Sequence, residues 1–443
     1  MFWLRKPATT IGRGVLLSDL KGPIRRIEVP DTDRIGHIGC FGTTRIGKSK
    51  LIEHMVTQDI AKGYSVVVVD PKGDLELFSK IVQTAYDNKR ANELCLINPI
   101  YPDFSATINP LAYYFSPEEI VNHVVSGVQA KDAYFHNVAY ETTLVIVLGL
   151  LALKEKATPD LSINFAEIGR RCGAQEIEDL TATLSKIEDP GAREIVHIAN
   201  KILQAREEFF GKVTSSLRTV LTALSIGNMG RIIGRARSNR FVKRLENGQR
   251  VILVVQTGSM LSGKVSDMMA RILISMIQSF IGRRFASGQK IDPPLAIYID
   301  EFSNACYIGI EDLFNKAGGA GAMVNVFTQS LADITAAIGE QMARKILDNL
   351  NTKIFMRVND PQTARYVSES SGTRKKYDPF LQLGGGITMR CAEEAAVRPE
   401  DVLNLRKRIF YLFGINGRYK GKTELVKPSR LKVEYPDIIS KAV

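Results

Sequence analysis

The stretch that most constrains this chain is residues 42–49, GTTRIGKS, which satisfies the spacing G-x-x-x-x-G-K-[ST] without a gap. An apolar stretch at 35–41 leads in, and Leu51, Ile52, Met55, Val56 and Ile60 lead out on one helical face toward Gly63. This predicts strand, loop and helix, the setting such a loop needs. Glycines let the backbone fold round an anion, successive N–H groups point inward, and the helix N-terminus adds partial positive charge. The expected phosphate cradle is therefore Gly42, Thr43, Thr44, Arg45, Ile46, Gly47, Lys48 and Ser49. Lys48 would reach the β- and γ-phosphates of ATP, and Ser49 would hold Mg²⁺.

A second apolar run, 64–69, is continuous and rich in valine, as in a parallel strand buried on both faces. It ends in Asp70-Pro71-Lys72-Gly73-Asp74. Acids at the carboxyl end of such a strand lie at the same sheet edge as the phosphate loop, so Asp70 could support the site from behind. A turn built by Pro71 and Gly73 is the other reading. A strand at 93–97 follows. From about 112 to 230 helical periodicity replaces the alternation of strand and helix, and strands resume at 251–256 and 295–299.

The strand at 295–299 ends in Asp300-Glu301, an arrangement that suits hydrolysis of a magnesium nucleotide. Asp300 would hold Mg²⁺ through water, and Glu301 would activate the attacking water. After the next strand, 324–328, comes Gln329, whose amide can donate and accept at once and could sense the γ-phosphate. Alternatively, Thr328 or Ser330 simply caps a helix there. The fold expected is α/β: a RecA-like P-loop ATPase core with a mostly parallel sheet and an inserted all-helical domain. Residues 1–33 are a lead-in, 34–111 the first part of the nucleotide-binding domain, 112–230 the insertion, and 231–443 the second part.

Charge bears on partners. The 443 residues carry 59 Lys and Arg against 47 Asp and Glu, a net charge of +12, which favours a polyanion such as nucleic acid or an anionic membrane surface. Arg231, Arg235, Arg237, Arg240, Lys243, Arg244 and Arg250 gather in one stretch, and Lys420, Lys422, Lys427, Arg430 and Lys432 in another. Phosphate contacts and a solvated face are both open for these groups. The five cysteines lie far apart and read as reduced thiols, and the five histidines show no metal-ligand spacing. No secretory signal is visible, and the most apolar run, 144–153, falls short of the roughly 20 residues a bilayer takes. A soluble chain with a buried helix there is expected.

Taken in order, GTTRIGKS, VVVVDPKGDLE, TINPL, IYIDEFSN, NKAGGAGAMVNVFTQS and KIFMRVND resemble the conjugative type IV coupling proteins. These are the TraD/TraG class of ring-forming DNA-transport ATPases related to FtsK and HerA, and the likeness is greatest to the TraD branch of integrative conjugative elements. The resemblance implies ATP contacts at residues 42–49, metal and water roles at Asp300 and Glu301, and nucleotide sensing by Gln329. It also implies a homo-hexamer around single-stranded DNA, with Arg235, Arg237, Arg240, Lys243 and Arg244 as candidate DNA contacts. The implied partners are a relaxase or relaxosome and a secretion-channel ATPase or inner-membrane component. The insertion would correspond to the family's all-alpha domain at the cytoplasmic mouth of the channel.

Two departures from the family pattern stand out. Many relatives begin with two membrane-spanning helices and this sequence has none, so membrane attachment is missing, supplied by another protein or lost by truncation; as given, the expected place is cytoplasmic, peripheral at the cytoplasmic face of the inner membrane. Many also carry an arginine before the glutamine strand, where this chain has Gly318-Gly319-Ala320-Gly321. The inter-subunit arginine is thus unassigned, with Arg357 and Arg374 as candidates. Besides a motor that moves DNA, a nucleotide-gated receptor that recruits the DNA-processing complex, or an ATPase that remodels proteins only, fits the same residues.

Overall fold

A computed structural model describes residues 7–128, 133–204, 207–381 and 387–438. In chain order its strands are β1 (Ala8–Leu16), β2 (Arg25–Pro30), β3 (Ile38–Phe41), β4 (Ser65–Asp70), β5 (Leu94–Ile97), β6 (Ile252–Gln256) and β7 (Leu295–Ile299). Then come β8 (Ala322–Thr328), β9 (Thr352–Phe355), β10 (Thr373–Leu381), β11 (Ile387–Ala395), β12 (Ile409–Gly414) and β13 (Gly417–Thr423). Eleven of them form one sheet in the order β2-β1-β13-β12-β9-β3-β8-β7-β4-β6-β5, while β10 and β11 make a separate hairpin. The strands from β9 through β5 are all parallel, and β12, β13, β1 and β2 extend the sheet antiparallel.

Alternation along β4 shows how the layers are divided. Val66 and Val68 face a core with Met55, Ile60, Leu77 and Ile81, on the helices Lys48–Ala61 and Leu75–Asp87. Val67 and Val69 face the opposite core, shared with Leu273 and Ile277 of the helix Ser259–Ala286. Both faces are covered, so β4 is apolar along its whole interior.

The chain between β5 and β6 holds no strand among the described residues. Its helices include Pro117–Ser126, Ala133–Lys156, Ala174–Leu184, Pro190–Gln204 and Glu207–Ser225. Ile120, Val124, Ile146, Leu150 and Leu221 belong to the same buried cluster as Val67 and Val69, so these helices pack continuously onto one face of the core. The apolar run 144–153 lies inside the helix Ala133–Lys156, which is longer than the run itself. By length and composition alone, Tyr134–Lys156 and Ser259–Ala286 are long and apolar enough to cross a membrane, yet half and two thirds of their apolar windows are buried against protein.

The strand expected at 35–41 begins only at Ile38. Residues 31–34 form one helical turn that buries Arg34, and Ile35 is 41% exposed. The lead-in is part of the sheet, since β1 pairs with β13 and β2 with β1. Of its short alternating pieces β2 is the edge strand and β1 its inner neighbour, and their half-polar pattern is weak in sequence.

Candidate active site

The phosphate loop is pinned by the strands that flank β3. Gly42 N–H donates to the Thr328 carbonyl at 3.1 Å, and Thr43 N–H donates to the Arg357 carbonyl at 2.8 Å. A Cβ on Gly42 would lie 2.9 Å from Met356 Cβ, so glycine is what lets the loop approach β9. Gly47 has φ +119 and Arg45 φ +58, the left-handed turns that curl the backbone before the helix starts at Lys48. Ile46 is buried beneath, whereas Thr44 and Arg45 face solvent. Lys48 is 5% exposed, and its ammonium donates to the Thr43 carbonyl at 3.0 Å and to the Gly42 carbonyl. Burial lowers its pKa. Ser49 follows in the first helical turn.

The acidic pair stands at the end of β7. Asp300 is 4% exposed, and one of its oxygens accepts from Glu301 N–H at 3.0 Å. Burial raises its pKa, against the pull of the Lys72 charge. Glu301 has φ +47 and ψ +49, a left-handed conformation that a non-glycine residue holds at a cost of about 1–3 kcal/mol.

Asp70, on the neighbouring β4, accepts from Lys72 N–H at 3.1 Å and Asp74 N–H at 2.6 Å. It therefore builds the turn containing Gly73, whose φ is +73. It also stands beside Asp300: burial first, and the Asp300 charge after it, push its pKa up to about 6 despite the N–H groups it accepts. Gln329 leaves β8 half-buried between loop and helix. The helix cap there is Ser330, whose hydroxyl accepts from Asp333 N–H at 3.2 Å while Asp333 returns the bond to Ser330 N–H at 2.9 Å. The Thr328 carbonyl is already taken by Gly42.

Strand order brings these groups together. With β8 between β3 and β7, and β4 beyond β7, the loop, Gln329, Asp300-Glu301 and Asp70 share one carboxyl edge. The possible donor set for a metal, the Ser49 hydroxyl and the Asp300 carboxylate, consists of hard oxygens of the kind Mg²⁺ takes.

Two residues at the site carried no assignment from sequence. Lys72 places its ammonium 3.3 Å from Asp300 Oδ2 and 2.5 Å from Glu301 Oε1. Its only signal was its place in DPKGD, two residues past a strand-end acid. Arg408, at φ +71, closes the loop from below by donating its N–H to the Ile46 carbonyl at 3.0 Å.

The basic stretch is not part of this arrangement. Arg235, Arg237, Arg240 and Lys243 are exposed, while Arg244 is half-buried and donates to the Arg250 carbonyl at 3.2 Å. Arg231 pairs with Asp103 at 2.7 Å and Arg250 with Glu93 at 3.0 Å, a placement that puts the group toward the β5 edge of the sheet.

The α/β fold, with its mostly parallel sheet and a phosphate loop between β3 and the helix Lys48–Ala61, is of the P-loop kind that the loop and its flanking pattern predict. Residues 294–379, which carry β7, β8 and β9, match the family model described as the TraM recognition site of TraD and TraG. The fold resembles that of the bacterial conjugative coupling protein TrwBdeltaN70, with a TM-score of 0.69, 18% identity, and coverage of 96% of this chain and 90% of that one. It is also similar to plasmid coupling protein TrwB in complex with the ATP analogue ADPNP (TM-score 0.66, 19% identity, 97% of this chain and 98% of that one). A third similar structure is TrwB in complex with ADP and Mg²⁺ (TM-score 0.65, 17% identity, 96% and 97%). No curated protein sequence matches the chain. The resemblance to the TraD/TraG class drawn from the ordered motifs is borne out by the matched segment and the shared fold.

Proposed function

We propose that this chain is the ATP-hydrolysing DNA-transport motor of a conjugative type IV secretion system, coupling a DNA–relaxase substrate to the secretion channel. The observation that carries the reading is the adjacency of β3, β8 and β7, which sets phosphate loop, Gln329 and Asp300-Glu301 on one edge. The loop N–H groups and Lys48 take up phosphate charge, and Gln329 is placed to read the terminal phosphate. Ser49 and Asp300 would hold Mg²⁺, which would supply neutralisation of the phosphate charge when bound. Glu301 accepts the proton of the attacking water.

ATP and Mg²⁺ as ligands are supported by the nucleotides that the similar TrwB structures contain. A homo-hexamer threaded by single-stranded DNA follows from the class, with the helices of residues 112–230 as a domain at the channel mouth. A relaxosome component is the partner suggested by the description of the matched segment. The strands β7, β8 and β9 of that segment are buried, so the exposed sides of its helices Glu340–Asn349 and Pro361–Ser370 are where a partner would touch it. The chain would act peripherally at the cytoplasmic face of the inner membrane.

Steady-state ATP turnover with and without single-stranded DNA tests the reading. Wild type should hydrolyse ATP and be stimulated severalfold by DNA. Lys48→Ala should abolish turnover, and Glu301→Gln should bind ATP without hydrolysing it. Binding without turnover in the wild type would favour a receptor over a motor, and full activity in Lys48→Ala would refute the site.

A further inference from the structure

Lys72 is the charged residue bonded to both members of the acidic pair, the reaction scheme gives it no part, and its surroundings are specific. The turn after β4 fixes its backbone, because Asp70 accepts its N–H at 3.1 Å. Its ammonium then bridges the two carboxylates that matter most, Asp300 Oδ2 at 3.3 Å and Glu301 Oε1 at 2.5 Å. Three carboxylates, Asp70, Asp300 and Glu301, converge at this edge. Of the two lysines beside them, Lys48 is turned to the Gly42 and Thr43 carbonyls, so Lys72 is the cation paired with the acids. Asp74 is occupied elsewhere, accepting from Glu76 N–H at 2.9 Å as a helix cap. The Lys72 side chain is 43% exposed while the Asp300 side chain is buried, so the ammonium reaches in from solvent and can leave the way it came.

We propose that Lys72 is a positioning residue that serves as counter-ion to Asp300 and Glu301 until a divalent cation replaces it, so that Mg²⁺ enters by exchange with an ammonium. This rests on the reading of Asp300 as the metal-side carboxylate. A dication beside Asp300 and an ammonium 3.3 Å from the same carboxylate repel one another, so both cannot occupy the site as it stands. On exchange Lys72 swings toward solvent, and the Glu301 carboxylate is released from its ion pair.

The test uses the full chain and two readouts, thermal melting in EDTA against rising MgCl₂ without nucleotide, and the Mg²⁺ concentration that half-saturates binding of fluorescent ADP. In Lys72→Met both midpoints should move to roughly three- to tenfold lower Mg²⁺, as expected when one screened like charge is removed. Lys72→Arg keeps the charge and should stay at the wild-type midpoints. A cooperative melt of Lys72→Met in EDTA shows that it folds. Unmoved or raised midpoints in Lys72→Met, with Mg²⁺-dependent ADP binding intact in wild type, overturn the exchange alone. Absence of nucleotide binding in wild type, or binding unaffected by Lys48→Ala, overturns the proposed function instead, and the nucleotide-free melting series still decides the exchange.

Discussion

Replacing Arg34 by methionine should destabilise the chain by about 3–5 kcal/mol, the cost of leaving a buried carboxylate without its partner. Arg34 and Asp59 are both fully buried, joined by two N–H···O bonds of 2.7 Å each. Arg34 also donates to Thr9 Oγ1 at 2.7 Å, Asp31 Oδ1 at 3.2 Å and the Tyr298 hydroxyl at 3.0 Å, and Tyr298 in turn donates to Asp59. Without the guanidinium, Asp59 retains that hydroxyl and Lys62 at 3.6 Å, too little for a carboxylate out of water. With about 2.1 cal/mol/K of unfolding entropy per residue over 443 residues, the melting temperature should fall by about 3–5 °C.

The consequence reaches the site. Asp59 is on the helix that begins at Lys48, and Tyr298 is on β7 two residues before Asp300, so the network fixes the phosphate loop against the acidic pair. Nucleotide affinity should therefore drop in Arg34→Met under conditions where it remains folded. Urea unfolding of Arg34→Met, Asp59→Leu and the double variant closes a thermodynamic cycle. The double variant should recover most of the loss, because no charge is then left unpaired. A loss below about 1 kcal/mol in Arg34→Met, or a double variant worse than the sum of the singles, would refute the account.

Three further outcomes are expected. Ser330→Ala should cost about 1 kcal/mol of stability with turnover kept, whereas Gln329→Ala should leave the melting temperature in place and lower turnover; melts and ATPase rates on the pair check this. Glu301→Gly should raise stability by up to about 1 kcal/mol in denaturant unfolding, since glycine holds φ +47 without strain, while hydrolysis is lost. Burial pulls the pKa of His37 down to about 4 and that of His123 down to about 3. The unfolded chain therefore takes up protons from about pH 6.5 downward while the native state stays neutral, so stability falls with pH through that window, by about 2 kcal/mol per histidine between about pH 7 and about pH 5. Comparing wild type with His123→Gln at both pH values cancels the opposing trend from Asp70, and an equal drop in both proteins would contradict the assignment.

What could be read in the sequence follows from range. The loop, the buried strands β4, β6 and β7 and the strand-end acids are local patterns: a fixed spacing, a continuous apolar run, and a charge where the run stops. Gln329 is ambiguous in sequence with its neighbours because capping and sensing draw on the same polar residues, and the Ser330–Asp333 pair identifies the cap. Arg34, Asp59 and Tyr298 come from three distant segments, and nothing in their own neighbourhoods marks them as partners. Lys72 looked like part of a turn because its partners lie 228 and 229 positions further along the chain. The strands β1, β2 and β13 sit at the antiparallel side of the sheet, where half-exposed faces weaken the apolar signal.

The two arginines raised as candidates to act on a neighbour's nucleotide are separated by their surroundings. Arg374 is held by Glu394 at 3.0 and 2.8 Å, and Glu394 also binds Arg398 at 2.7 Å, so its guanidinium is committed within its own chain. Arg357 is exposed, but its carbonyl receives Thr43 N–H, which ties its backbone to the loop of its own subunit. The Arg357 backbone is thus tied to the phosphate loop of its own chain while its side chain stays exposed.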